Sequence, residues 1–344
     1  MPKYLVTGVA GFIGSSIARA LIEQGEEVRG LDDFSTGKRE NIADLRGLDF
    51  REVTLLDPAG MAEACEGIEC VFHEAALPSV PKSVADPKLT NAVNVDGTLN
   101  LLVAARDAGV RRVVYAASSS AYGDSETLPK HEGMLPKPVS PYAVQKLAGE
   151  HYMQTFSAVY GLETVSLRYF NVFGPHQDAN SQYSAVLAKF ITQMLQGDTP
   201  AIFGDGEQSR DFTYIENAVL ANLLASAAPA AKVCGKVFNV ATGRRYSLNQ
   251  TYDMLQQIIG FNGGAKYAPV RSGDIKHSLA DISLAKTLLG YAPRVAFEEG
   301  LRRTVNWYRQ MPQPGSDGRR EVLRKPPAHE SEQASVQSAI PAGL

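Results

Sequence analysis

The sequence is most constrained close to its start. Residues 4–6 form a short apolar run, and residues 12–22 carry apolar side chains at helical spacing until Gly25 stops them. Between them stands Gly8-Val9-Ala10-Gly11-Phe12-Ile13-Gly14, a G-x-x-G-x-x-G pattern. Such glycines allow a tight turn and a close approach of backbone to ligand. A helix that opens directly on the turn offers its free N–H groups to an anion such as a pyrophosphate. Further apolar runs at residues 28–31, 70–72, 112–116 and 164–168 read as strands. Helical patterns at 90–108 and 142–160 fall between them. This alternation specifies an α/β fold, a parallel sheet with helices on both faces.

The expected architecture is therefore a Rossmann-type doubly wound parallel sheet, followed by a smaller, discontinuous C-terminal substrate domain. Residues 1–173 would bind the dinucleotide, and 212–245 would return to that unit through a strand at 237–241. Residues 174–211 and 246–311 would form the second domain, with helices at 184–196, 249–259 and 283–289. Residues 312–344 gather Pro, Ser, Glu and Gln with few large apolar side chains and are expected to be disordered.

Composition removes several functional classes. Lysine and arginine number 34 against 37 aspartates and glutamates, so the chain lacks the basic excess of a general nucleic-acid binder. No apolar run approaches the roughly 18 residues of a membrane span, and the N-terminus does not read as a signal peptide. Cys65, Cys70 and Cys234 cannot make a disulfide framework and carry no second pair of metal ligands. The expectation is a cytoplasmic protein without a metal site or a membrane or nucleic-acid partner.

Asp32 ends the second strand, where a carboxylate can take the hydroxyls of an adenosine ribose and repel a 2′-phosphate; this favours NAD over NADP. Tyr142 and Lys146 stand four residues apart and share one helix face. A nearby ammonium favours the phenolate, so the tyrosine can move a hydroxyl proton while NAD takes a hydride. Ser118 leads the block Ser118-Ser119-Ser120-Ala121-Tyr122-Gly123 at the carboxyl end of a strand, where open α/β sheets bind ligands.

These three motifs, in this order, resemble the extended short-chain dehydrogenase/reductase family of NAD-dependent sugar-nucleotide epimerases and dehydratases, over about residues 3–308. The segments Arg168-Tyr169-Phe170-Asn171-Val172-Phe173-Gly174-Pro175, Gly204-Asp205-Gly206-Glu207-Gln208-Ser209-Arg210-Asp211-Phe212 and Arg271-Ser272-Gly273-Asp274 extend the likeness. The resemblance implies that Asn171, Arg210, Arg271 and Asp274 hold the nucleoside diphosphate. It implies that Gly8, Gly11, Phe12, Ile13, Gly14, Asp32, Ala75 and Ala76 line the cofactor, with Tyr142 and Lys146. Ser79, Lys82, Ser118 and Ser119 would face the substrate. Relatives carry an adenine-binding Asp after the third strand, where this chain has Thr54 and Leu55. Homodimers form in the family through helices corresponding to 90–108 and 142–160.

The serine block narrows the reaction. Related 4,6-dehydratases carry Thr-Asp-Glu at the positions of Ser118, Ser119 and Ser120, and related decarboxylases a Glu at that of Ser120. Without those acids the resemblance implies a UDP-sugar 4-epimerase. In the 4-epimerases that this chain resembles, the residue seven positions after the arginine of R-x-G-D borders the hexose, and a tyrosine there crowds the C2 substituent; here it is the small Ser278. That favours UDP-N-acetylglucosamine and most resembles the bacterial UDP-N-acetylglucosamine 4-epimerases. UDP-glucose or UDP-glucuronate 4-epimerisation is the alternative, and a non-enzymatic NAD-binding regulator the more distant one.

Overall fold

A computed structural model describes residues 3–179, 186–270 and 276–311. Its centre is a seven-stranded sheet in which every neighbouring pair is parallel. Strands β1 (Tyr4–Thr7), β2 (Val28–Asp32), β3 (Asp49–Glu52), β4 (Cys70–His73), β5 (Arg112–Ser118) and β6 (Glu163–Tyr169) are joined by a returning strand, Lys236–Val240. Their order across the sheet is 3-2-1-4-5-6, with the returning strand beyond β6. The sequence order reverses at β1, so the crevice between the ends of β1 and β4 is the expected ligand position. In register, Tyr4 lies beside both Val28 and Cys70, and Cys70 beside Arg112.

Apolar layers cover both faces. On one, Val6, Ile17, Phe72, Val114 and Leu167 join a large core with the helices Ile215–Ala227 and Phe297–Gln310. On the other, Leu5, Val71, Leu101, Val113 and Met153 pack together. The helices that position the cleft are α1 (Phe12–Glu23), α2 (Pro58–Cys65), α3 (Val80–Ala85), α4 (Pro87–Asn91), α5 (Gly97–Asp107) and α6 (Pro141–Tyr160).

The helix expected over 90–108 differs in two ways. It starts earlier, because Asp86 caps the Leu89 amide at 3.0 Å and Pro87 supplies a preset first turn. Between α4 and α5 it also widens into a π-helical turn, Ala92–Asp96. That turn directs Asn94 sideways: its Oδ1 accepts from Leu77 N at 2.8 Å and its Nδ2 donates to Gln145 at 2.9 Å. The insertion ties the cleft wall to α6, and no hydrophobic period announces it. In the second half, helices Leu248–Ile259 and Ser283–Leu289 stand where expected. The helix expected over 184–196 is described as Val186–Leu195. The tail 312–344 lies outside the described residues.

Candidate active site

The glycine turn forms one wall of a cleft of about 730 Å³. Gly8 has φ +67°, and a Cβ there would lie 2.7 Å from Ala75 N. A Cβ on Gly14 would lie 2.2 Å from Gly8 O. Here both glycines are steric requirements of the turn. No side chain caps the N-terminus of α1 and no acidic residue stands in its first turn, so its amides remain available to an anion. Gly8, Gly11, Phe12, Ile13, Gly14, Ala75 and Ala76 all line the cleft.

Asp32 also lines it, with one carboxylate oxygen accepting from Ala10 N at 2.9 Å and the other from Phe34 N at 2.8 Å. Burial raises its pKa while the two amides pull it down. Each oxygen keeps a lone pair for a ribose hydroxyl. Gly37 closes on the same carboxylate, where a Cβ would come within 2.6 Å of Oδ1. Beyond β3 the lining is Val53 and Leu55. Thr54 instead hydrogen-bonds Asp33. Cleft size, bare helix terminus and ribose carboxylate together fit an NAD molecule.

At the carboxyl end of β5, Ser118 Oγ accepts from Ser120 Oγ at 2.8 Å and Ser120 N at 3.2 Å. Ser118 and Tyr142 both line the cleft, and a hydrogen bond from Ser118 opposes the burial that pushes the Tyr142 phenol up to about 12. Tyr142 sits in the first turn of α6. Ser140 caps Ala143 N at 3.2 Å, Pro141 opens the helix, and Tyr142 N donates to Ser83 Oγ at 3.0 Å. Lys146 follows one turn later, almost fully buried. Its Nζ donates to Ala116 O at 2.9 Å and lies 4.9 Å from the centre of the Tyr115 ring. Burial pushes its pKa down to about 8, against the charges of Glu74 and Glu150. Gly149 allows this close packing, since a Cβ there would meet Tyr115 OH at 2.2 Å.

Ser79, Lys82 and Asn171 reach the same cleft. Ser79 caps α3 by accepting from Lys82 N at 3.0 Å. Asn171, at φ +39°, donates to Asp211 O at 3.0 Å and to Ser278 Oγ at 3.3 Å. Ser119 begins a 3₁₀ turn beside Ser118. Arg210 Nη1 donates to Ser209 O at 3.0 Å and Lys276 O at 3.2 Å, which places it on the short strand Ser209–Arg210, next to the segment bearing Ser278. Arg271 and Asp274 fall outside the described residues. Among the described residues, no group of three His, Cys, Asp or Glu side chains is placed to hold a metal ion, and no helix is long and apolar enough to cross a membrane.

Glu74 and Tyr169 also line the cleft, and neither is marked as a site residue by the sequence patterns. Tyr169 lies inside a motif already singled out. Glu74 directly precedes Ala75, and its neighbours alone could have drawn attention to it.

Fold and cleft together define a dinucleotide-binding α/β enzyme whose cleft is lined by Ser118, Tyr142 and Lys146. The model of the NAD dependent epimerase/dehydratase family matches residues 4–241, and the chain belongs to that family. It is an epimerase, and its cofactor is NAD. It is 38% identical over 317 residues to the UDP-glucose 4-epimerase of Mycolicibacterium smegmatis, covering 90% of this chain and 100% of that one. A UDP-N-acetylglucosamine 4-epimerase from Methanobrevibacter ruminantium M1, solved with UDP-N-acetylmuramic acid, shares 41% identity at TM-score 0.86 and covers 90% and 99% of the two chains. The UDP-glucose 4-epimerase of Thermotoga maritima, solved with UDP-glucose, shares 39% at TM-score 0.85, with 89% and 98% covered.

Proposed function

We propose that this chain inverts C4 of a UDP-hexose, interconverting UDP-N-acetylglucosamine and UDP-N-acetylgalactosamine through a 4-keto sugar. Bound NAD supplies a reversible hydride acceptor for C4, so the cycle needs no external redox partner. Tyr142 takes the proton of the C4 hydroxyl and later returns it. Ser118 orients that oxygen and shares the proton. Lys146, one turn further along α6 and lining the same cleft, supplies the positive charge that favours the phenolate. Arg210, Arg271, Asp274 and Asn171 anchor the diphosphate and nucleoside while the hexose turns, with Ser79, Lys82 and Ser119 at the sugar. Residues 1–173 with 212–245 serve the dinucleotide, and 174–211 with 246–311 serve the nucleotide sugar.

The observation that carries the choice of sugar is the contact of Ser278 with Asn171. Asn171 lines the cleft that holds Tyr142 and Ser118, so a small side chain packed on it leaves room for a C2 acetamido group. The likeness to the Methanobrevibacter enzyme supports the same reading. UDP-glucose is the second reading, on the strength of the Mycolicibacterium and Thermotoga relatives. The test is kcat/KM on UDP-N-acetylglucosamine, UDP-glucose and UDP-glucuronate. The N-acetyl sugar is expected to rank first, and any other order overturns the assignment of the sugar.

The same proposal includes a cytoplasmic homodimer. Leu89 on α4 and Val144, Val159 and Tyr160 on α6 are exposed on the helices through which such a pair would form. Light scattering on the purified protein at twice the chain mass supports it; a monomer overturns it.

A further inference from the structure

A carboxylate in the same cleft takes no part in the steps above. Glu74 follows β4 directly, and its Oε1 accepts from the hydroxyl of Tyr169, at the end of β6, at 2.7 Å. That hydroxyl accepts in turn from Asn222 Nδ2 at 2.7 Å. Asn222 is fully buried on the helix Ile215–Ala227, and the same Nδ2 donates to Ala218 O at 2.9 Å. The Ala218 carbonyl fixes which end of the amide faces Tyr169. With an N–H pointed at its oxygen, Tyr169 has one direction left for its own proton, toward Glu74. The chain of donors therefore runs one way and ends on a carboxylate oxygen held as an acceptor.

The surroundings of Lys146 show what that negative charge does. Glu74, Tyr142 and Tyr169 line the same cleft, the Tyr115 ring lies 4.9 Å away, the charges of Glu74 and Glu150 act on the ammonium, and the ammonium acts on His73. Glu150 is matched by Arg168 in a two-pronged pair at 2.7 and 2.9 Å, both side chains almost fully buried. Glu74 meets no guanidinium among the described residues. His73 is held between Thr7 at 2.8 Å and Thr98 at 3.0 Å and is kept neutral by burial. Glu74 is thus the carboxylate whose charge is left to balance a buried ammonium.

We propose that Glu74, oriented by Tyr169 and Asn222, is a positioning residue that keeps Lys146 charged in the dry cleft and so sets the alkaline limit of turnover. The turnover clause rests on the epimerase reading; the charge of Lys146 does not. Burial lifts Glu74 itself to about 7, opposed by the Tyr169 hydrogen bond and by Lys146. Below that pH Glu74 is neutral and contributes nothing. Above it, loss of its charge removes a support from Lys146 and lowers the lysine's pKa.

The test uses the full chain as purified, with 13Cε-labelled lysine. The Lys146 signal is identified by its disappearance in Lys146→Met. Its titration midpoint should fall by about one pH unit in Glu74→Gln and shift the same way, by less, in Tyr169→Phe, which frees Glu74 to take up a proton. The descending limb of the kcat profile should move to lower pH with it, while the limb below about pH 7 stays in place. A Lys146 midpoint that does not move in either variant overturns the inference. So does a midpoint that moves with no change in the descending limb, and so does a uniform loss of kcat at every pH. Failure of the wild-type chain to turn over any UDP-hexose overturns the epimerase reading and with it the turnover clause, while the lysine titration still decides whether Glu74 sets the charge of Lys146.

Discussion

Asn171 donates its side-chain amide to Ser278 Oγ across 3.3 Å, joining the end of the sheet to a residue 107 positions later. Asn171 lines the cleft, and Ser278 packs directly behind it through this contact. A tyrosine at 278 would displace that contact and fill the space beside Asn171. Ser278→Tyr is expected to lower kcat/KM for UDP-N-acetylglucosamine by about 100-fold while leaving UDP-glucose within about threefold. Equal losses on both sugars would show that Ser278 does not read the C2 substituent.

Tyr142→Phe removes the hydroxyl proposed to carry the proton and leaves the helix start intact, because its contact with Ser83 is made by the backbone amide. Turnover should fall by about 10³-fold or more, in the range of a lost general acid–base group. NAD content and UDP affinity should stay near wild type. Retained turnover would remove Tyr142 from the reaction.

Two glycines with left-handed backbone separate the nucleotide cradle from ordinary helix termination. Gly8→Ala places a methyl 2.7 Å from Ala75 N, and Gly25→Ala places one in open space at a similar φ of +81°. Both pay the left-handed strain of about 1–2 kcal/mol. Only Gly8→Ala should also lose bound NAD, read as dinucleotide released on denaturing the purified protein. Equal NAD content in the two variants would contradict the cradle.

Arg168 and Glu150 test the burial of charge behind the cleft. Replacing Arg168 by Met leaves a buried carboxylate unmatched and should cost about 3–5 kcal/mol in denaturant unfolding. Adding Glu150→Gln removes that charge, so the double variant should recover much of the loss. A double variant no more stable than the single one would mean that Arg168 acts through its packing on the Tyr122 ring, 4.6 Å away.

What the sequence made legible was local. The glycine turn, Asp32 and the Tyr142–Lys146 spacing each lie within one strand–helix unit, where a short-range pattern and its chemistry coincide. The Rossmann-type order was legible for the same reason, because each strand and helix carries its own period. Glu74, Tyr169 and Asn222 carry no such signal. They are brought together only when β4, β6 and a later helix pack, across separations of 95 and 53 residues. The π-helical turn around Asn94 was hidden because it shifts the helical phase without changing the hydrophobic pattern. Ser278 was legible only through the family resemblance, at its distance from Arg271; Asn171 was singled out in the same way, and what emerged with the fold is the contact between the two.

The central claim is that C4 is inverted by removing and returning the same hydride. Its most direct test is to incubate the purified protein, without added cofactor, with UDP-N-acetylglucosamine in deuterium oxide and follow the C4 signal by proton NMR. The account predicts UDP-N-acetylgalactosamine that still carries protium at C4, since the hydride never meets solvent. Deuterium at C4, or no conversion even with NAD supplied, would contradict it.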